Sequence, residues 1–259
     1  MHIVVINLPS QEGRWVHVAR QFALAGLKAE RVEAVSGRDL SPERLVRLYS
    51  AALNRGQYHK PLCAGEVGCY ASHLAAWQRL LDTPERHLAV FEDDILVAPD
   101  LAGVLDALEH SGDEWDMVKL VGRPRERVRS RLAGIGTREL VTYARVPGLT
   151  SAYVVSRRGA EKLLHRRLPF GRPIDIDLRH WWECDLRILG VVPYPVMAAP
   201  SSALTTIEGR RLPLDARTRF RKLVLQTRYL ALNWQATWLG GALPTRAAEI
   251  SAVTSRPAP

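Results

Sequence analysis

Three consecutive carboxylates, Glu92, Asp93 and Asp94, follow directly on the apolar run Leu88-Ala89-Val90-Phe91. The run has the length and the Val and Phe content of a buried strand. Strand side chains alternate faces, so Glu92 and Asp94 are expected on one side and Asp93 on the other. Two carboxylates on one side of a strand end offer oxygen ligands to a hard divalent cation. In α/β proteins the carboxyl end of a strand is also where ligands gather. Crowding three like charges there is unfavourable, because each raises the pKa of its neighbours. A cation relieves that repulsion, so the triplet reads as a metal site with Glu92 and Asp94 as ligands.

The elements around the triplet alternate between strand and helix. A strand over 2–8 is followed by Ser10 as a helix N-cap and by Trp15, Val18, Ala19, Phe22 and Ala25 on one helical face, with Gly26 closing the helix. A second strand over 28–35 leads into the turn Ser36-Gly37-Arg38-Asp39, and Ser41-Pro42-Glu43 opens another helix. Val67, Ala71, Leu74, Ala75 and Leu81 mark a helix over 64–81. After the acidic strand come a helix over 99–110, strands over 115–121, 139–146 and 151–156, and a helix over 157–168. This order predicts an α/β fold with a mostly parallel sheet covered on both faces. The Arg-rich stretch 123–131 reads as a loop.

Composition narrows the class. The 259 residues suffice for one sizeable α/β domain, and 47% apolar with 24% charged residues is ordinary for a globular chain. Met1 runs straight into a strand without a basic leader, and no apolar stretch approaches the roughly 18 to 20 residues that span a bilayer. Cys63, Cys69 and Cys184 lack CxxC spacing, which fits reduced thiols in a cytoplasm. A zinc site from Cys63, Cys69 and His73 is disfavoured, since structural zinc spacing is tighter and a fourth ligand is missing. The net charge of +9, with five arginines between Arg123 and Arg131, argues for an anionic partner. No nucleic-acid-binding motif accompanies it.

Several segments in register resemble glycosyltransferase family 25, the sugar transferases of bacterial lipooligosaccharide synthesis. They are Val5-Ile6-Asn7-Leu8 with Arg14, and Ala34-Val35-Ser36-Gly37-Arg38-Asp39-Leu40, where Ser36 replaces the family's usual Asp. Gly65-Glu66-Val67-Gly68-Cys69-Tyr70-Ala71-Ser72-His73-Leu74 and Phe91-Glu92-Asp93-Asp94 follow. Ser151-Ala152-Tyr153-Val154-Val155-Ser156, Gly159-Ala160-Glu161-Lys162-Leu163-Leu164 and Pro173-Ile174-Asp175 complete the set. The resemblance covers roughly residues 2 to 205. It implies a GT-A-type nucleotide-sugar-binding α/β/α sandwich over 1–205, with 206–259 as a basic C-terminal helix and a tail, Ser251 to Pro259, that reads as disordered. It also implies a UDP-sugar donor, usually UDP-galactose, and inverting transfer to a glycan acceptor, with Mn²⁺ or Mg²⁺ at Glu92 and Asp94.

Within that frame, transfer needs a cation to neutralise the leaving diphosphate and a carboxylate to take the acceptor's proton. The base candidates are Asp175, Asp177, Glu183 and Asp185. Asp175 is preferred because it matches the family's segment after Pro173, although an Asp after a Pro is often only a helix cap. Asn7, Leu8 and Arg14 can cradle uridine and phosphates, with Leu8 alternatively in simple packing. Gly37 allows a tight turn, Ser72 and His73 lie near the donor unless His73 is a core residue, and Asp93 holds backbone or a basic neighbour. His180 is a possible third metal ligand, and Trp181 and Trp182 can stack on a sugar ring.

From Arg217 to Leu239, Phe220, Leu223, Val224, Leu230, Ala231, Trp234 and Trp238 recur at helical spacing, with Arg219, Arg221, Lys222 and Arg228 mostly off that stripe. Two readings stand: a basic amphipathic helix on an anionic membrane, or a helix whose stripe packs into the domain. The expected setting is the cytoplasm, with peripheral contact at the inner membrane face and a free or lipid-linked glycan as acceptor. Two other function classes compete. A metal-dependent phosphohydrolase or nuclease would want further Asp and His ligands, and a non-catalytic binder of anionic polymers leaves the triplet unexplained.

Overall fold

The computed structural model describes residues 1–112, 114–199 and 215–239. The strands are β1 (His2–Asn7), β2 (Glu30–Glu33), β3 (His87–Glu92), β4 (Ile95–Val97), β5 (Met117–Lys119), β6 (Val128–Ile135), β7 (Arg138–Tyr143), β8 (Ala152–Ser156), β9 (Ile188–Val192) and β10 (Val196–Ala198). The helices are α1 (Glu12–Leu24), α2 (Pro42–Leu48), α3 (Ala51–Gln57), α4 (Ala64–Leu81), α5 (Leu101–His110), α6 (Arg157–Arg166), α7 (Ile174–Asp177) and α8 (Ala216–Trp238). An eight-stranded sheet runs in the order β2-β1-β3-β8-β5-β9-β7-β6, and β4 pairs with β10 beside it.

The sheet is mixed. β2, β1 and β3 run parallel, as do β5 and β9, but β8 lies between β3 and β5 and runs against both. Runs such as Val4-Val5-Ile6, Ala89-Val90-Phe91 and Tyr153-Val154-Val155 are buried on both faces, as a sheet covered by helices on both sides requires. Val5, Phe91 and Val154 pack with Val18, Phe22 and Leu105 of α1 and α5. Val4, Val90 and Tyr153 pack on the other side with Tyr70, Trp77 and Leu163 of α4 and α6.

Some boundaries move, for local reasons. Ser10 is not the cap of α1: Gln11 N–H first closes a turn on Leu8 O at 2.8 Å, and Asn7 Nδ2 donates to Gln11 O at 3.1 Å, so the helix starts later. Gly26 does end that segment, at φ +70°, with Leu27 N–H reaching back to Phe22 O at 2.9 Å. Helix α4 spans the predicted residues. The Arg-rich stretch read as a loop is loop only to Arg127, because β6 begins at Val128. Among the described residues β6 is an edge strand, paired to β7 through two register shifts, and edge strands take charged side chains readily.

Gly37 earns its place through contact rather than turn strain, since its φ is not positive. A Cβ there would collide with the Ala64 carbonyl oxygen and lie 2.9 Å from the Gly68 amide nitrogen. The turn after β2 is thereby pressed onto the start of α4, and Ser72 Oγ fastens it, accepting from Val35 N–H at 2.8 Å and donating to Gly68 O at 2.8 Å. Gly37→Ala is therefore expected to lower stability by about 3 kcal/mol, because neither backbone can yield cheaply. An unchanged denaturant midpoint for that variant would contradict this close packing.

The end of the sheet opposite the acidic triplet is neutralised. Asp116, fully buried before β5, meets Arg158 Nε at 2.7 Å and Lys162 Nζ at 2.9 Å and accepts from Arg187 N–H at 2.8 Å. Arg157 Nη2 donates to the carbonyls of Leu80, Thr83 and Glu85, tying α6 to the end of α4.

The C-terminal helix does pack on the domain, but not by the expected stripe. Asp215 caps it, accepting from Thr218 N–H at 2.6 Å. It docks through Arg221, Tyr229, Asn233 and Thr237, whereas Phe220, Leu223, Trp234 and Trp238 are exposed. The boundary at 205 and 206 and the tail from Ser251 lie outside the described residues.

Candidate active site

The carboxyl ends of β1, β3 and β5 and the entry end of β8 form one rim. Asn7 closes β1, Glu92 closes β3, Lys119 closes β5, and Thr150 and Ser151 lead into β8. Glu92 N–H donates to Ser151 O at 2.9 Å and seals the seam between β3 and β8.

The triplet does not carry strand alternation to its end. β3 stops at Glu92, and Asp93 and Asp94 lie on a bend before β4. Glu92 turns toward α4: Thr150 Oγ1 donates to its Oε1 at 3.1 Å, and His73 Nε2 lies 3.5 Å from the same oxygen. Asp93 turns toward β1, accepting from Asn7 Nδ2 at 2.6 Å and lying 3.5 Å from the Arg14 guanidinium. Burial pushes Asp94 up to about 6, with Glu92 and Asp93 adding to the shift and Arg14 opposing it. Asp93 is also raised, by burial first. Asn7 Oδ1 is buried and has no hydrogen-bond partner among the described residues.

Among the described residues, Cys69, His73 and Glu92 form the group whose ligand atoms all come within 4.8 Å of one another. From sequence, a zinc site of Cys63, Cys69 and His73 is disfavoured, and Glu92 is paired with Asp94, with His180 as a possible third ligand. Cys69 and His73 stand four apart on α4, the spacing that places two side chains on one helical face, and that signal points to this cluster. His73 is buried rather than open, and it is tied to the core. Trp77 Nε1 donates to Tyr153 Oη at 2.8 Å, and Tyr153 Oη lies 2.8 Å from His73 Nδ1. Trp77 can only donate, so every group is satisfied when Tyr153 gives its proton to Nδ1 and His73 Nε2–H faces Glu92.

Lys119 belongs to this rim and escapes the sequence reading. It is fully buried at the end of β5, donates to Leu149 O, and its ammonium stands 5.9 Å from the centre of the Tyr153 ring. Burial brings it down to about 8, while the carboxylates of Asp175 and Glu92 pull it back upward. A lone lysine inside Met117-Val118-Lys119-Leu120-Val121 was the available signal, since an unneeded charge is rarely buried there.

The base candidates separate sharply. Asp177 is buried, accepts from Tyr70 Oη at 2.5 Å and from Arg172 Nε at 2.7 Å, and has Arg167 at 3.2 Å. Glu183 lies 2.6 Å from Arg167 and 2.5 Å from Arg172, which hold its carboxyl low against the upward push of burial. Asp185 is exposed and meets Lys162, which also binds Asp116 at the opposite end of the sheet. Asp175 lies in the first turn of α7, within electrostatic reach of Lys119. Pro173, not Asp175, is the N-cap of α7, so capping does not account for it.

Other expected contributors make contacts within the fold. The Ser72 hydroxyl makes both its bonds within the fold, and Leu8 is half-buried with its carbonyl in the turn to Gln11. Trp181 Nε1 donates to Asn233 Oδ1 at 3.4 Å and Trp182 stacks on Tyr229, so both indoles turn toward α8. His180 lies against the Trp182 and Tyr229 rings with Nδ1 3.0 Å from Ile176 O. Burial, with Arg172 next, lowers its pKa from 6.5 to about 4. The unfolded chain thus binds more protons between those values, and stability present above pH 6.5 is lost as pH falls toward 4. On the order of 2 to 3 kcal/mol should be involved. Melting curves from pH 7 to 4 should slope more steeply for the native chain than for His180→Gln, and parallel slopes would remove His180 as the cause.

An α/β sandwich with an acidic rim at its strand ends is the class that geometry defines. The chain matches the family model described as glycosyltransferase family 25 (LPS biosynthesis protein) over residues 1–177, and it belongs to that family. It is 32% identical over 183 residues to a glycosyltransferase 25 family member of Aedes aegypti, covering 68% of this chain and 30% of that protein. It is 28% identical over 182 residues to procollagen galactosyltransferase 2 of Homo sapiens, covering 68% of this chain and 29% of that protein. The chain therefore spans about 30% of the length of these curated relatives. The inositol-1-phosphate CTP transferase of T. maritima aligns at a TM-score of 0.36 and 10% identity, over 87% of this chain and 76% of that one. The α/β class rests on the sheet itself. No helix among the described residues is long and apolar enough to cross a membrane.

Proposed function

We propose that the chain is an inverting glycosyltransferase moving a hexose, galactose, from a UDP-sugar to a hydroxyl of a cell-surface glycan such as lipopolysaccharide or lipooligosaccharide. The observation that carries the reading is the gathering of Asn7, Arg14, Glu92, Asp93, Asp94 and Lys119 at one rim of a chain in this family. Galactose is supported by relatives such as human procollagen galactosyltransferase 2.

The donor set suits a divalent cation and a nucleotide. Glu92 and Asp94 supply hard oxygen atoms, and the unmatched acceptor Asn7 Oδ1 suits a ribose hydroxyl or base N–H. Mn²⁺ or Mg²⁺ held there would neutralise charge growing on the departing diphosphate. Arg14 and Lys119 add positive charge on either side of the triplet. Asp175 takes the proton of the acceptor hydroxyl as its oxygen bonds to the anomeric carbon. The bond from that carbon to the diphosphate oxygen breaks on the opposite face, its electron pair leaves with UDP, and configuration inverts. The setting is cytoplasmic, against the inner face of a membrane where lipid-linked glycans are built.

Thermal-shift measurements with UDP, Mn²⁺, both together and DNA test the reading, followed by a screen of UDP-sugars for transfer or hydrolysis. Stabilisation by UDP with Mn²⁺ beyond either alone is the expected result. Stabilisation by DNA instead would replace it with a nuclease or a nucleic-acid binder.

A further inference from the structure

Helix α8 turns its polar side to the domain and its apolar side to solvent. The exposures are 68% for Phe220, 61% for Leu223, 49% for Val224, 42% for Leu230, 59% for Trp234 and 60% for Trp238. At 3.6 residues per turn these side chains share one stripe, opposite the docked residues Arg221, Tyr229, Asn233 and Thr237. Arg217 and Arg228 border the stripe on one side and Arg219 on the other, and no Asp or Glu occurs between Ala216 and Leu239. The Arg-rich segment joins the same surface. The Arg129 guanidinium stands 4.7 Å from the centre of the Trp238 ring and donates to Thr237 O at 3.0 Å, with exposed Arg125 and Arg127 just before it.

We propose that this surface docks on a bilayer of anionic phospholipid, with the stripe entering the acyl boundary and the arginines meeting headgroup phosphates. Two observations choose lipid over other occupants. A second copy meeting this face about a two-fold axis would bring cations against cations, with no carboxylate on the helix to offset them. Single-stranded nucleic acid is held in a basic groove with its bases stacked on aromatic rings, whereas this is the convex face of one helix on which Leu223, Val224 and Leu230 offer no ring to stack on. The docking also bears on the proposed site. Tyr229 is stacked on Trp182 and lies under Arg179, so α8 rests on the segment that continues from Asp175. A lipid-linked acceptor reaching that segment would come from the bilayer side, a point that depends on the glycosyltransferase reading, whereas the membrane contact itself does not.

The experiment uses the full chain with vesicles of phosphatidylglycerol and phosphatidylcholine, compared with phosphatidylcholine alone, at low and high salt. Co-sedimentation with the anionic vesicles at low salt is expected, weakening as salt shortens the screening length, together with a blue shift of tryptophan emission. The double variant Leu223→Ser/Trp234→Ser changes only exposed side chains. It should weaken vesicle binding about 10- to 100-fold at an unchanged melting temperature. Indifference of the native chain to anionic vesicles at low salt would overturn the proposal. So would equal vesicle binding by the variant, or a native dimer that the variant converts to monomer. Stabilisation by UDP with Mn²⁺, read on the same samples, reports separately on the sugar-transfer reading.

Discussion

Asp94→Ala is expected to lower sugar transfer on the order of 10² to 10³-fold, the loss typical when a preorganised group stabilising transition-state charge is removed. Asp94 is the member of the triplet least accommodated by its surroundings. Burial and the neighbouring Glu92 and Asp93 raise it to about 6, against the lowering influence of Arg14 and a backbone hydrogen bond. A carboxylate kept in that condition is explained by a ligand that shares its charge. Glu92→Ala should be comparably severe, because it removes both a proposed metal ligand and the acceptor of the Thr150 bond. Asp93→Asn should be milder, since an amide oxygen can still accept from Asn7. Removing the crowded charge should leave the melting temperature of the metal-free protein equal or higher, which separates lost activity from lost fold. Full turnover of the native chain in excess EDTA would sink the metal role, and near-normal transfer by Asp94→Ala would exclude this residue.

Asp175→Asn should abolish most transfer, on the order of 10² to 10⁴-fold, while UDP binding persists. The substitution keeps size and hydrogen bonding and removes only basicity. Its neighbours sharpen the test. Asp177 and Glu183 are matched to Arg167 and Arg172, so replacing Asp177 by Asn leaves buried guanidinium charge uncompensated. That change should cost about 3 to 5 kcal/mol of stability. Loss of transfer at full stability is thus the signature of the base, and loss of stability that of the ion network. Near-normal transfer by Asp175→Asn, measured with a saturating UDP-sugar, would move the base elsewhere.

The sequence exposes what is periodic or local and hides what depends on partners. Helix 64–81 is legible to the residue because its apolar stripe and the Glu66 carboxylate, which accepts from Cys63 N–H at 3.0 Å, mark its span. The carboxylate rim is legible because three acids at a strand end have no packing use. Side-chain direction is not, because alternation stops where β3 stops, and Asn7 rather than the pleat decides where Asp93 points. β9 passes unnoticed because a short apolar run such as Ile188-Leu189-Gly190-Val191-Val192 has no period to read. The stripe of α8 is visible but its direction is not. A helix with an apolar side and a side bearing Tyr229, Asn233 and Thr237 can turn either one inward, and pairing Asn233 with Ala144 O selects the polar side.

The two ends of the sheet hold different charges and so differ in their tolerance to change. One end gathers Glu92, Asp93 and Asp94 beside a buried lysine; the other balances Asp116 against Arg158 and Lys162. Substrate preference can therefore drift through the loops at the first end while the fastening at the second is left alone. Random substitutions along this chain should divide by address, those near one end altering what the protein handles and those near the other altering whether it survives in the cell.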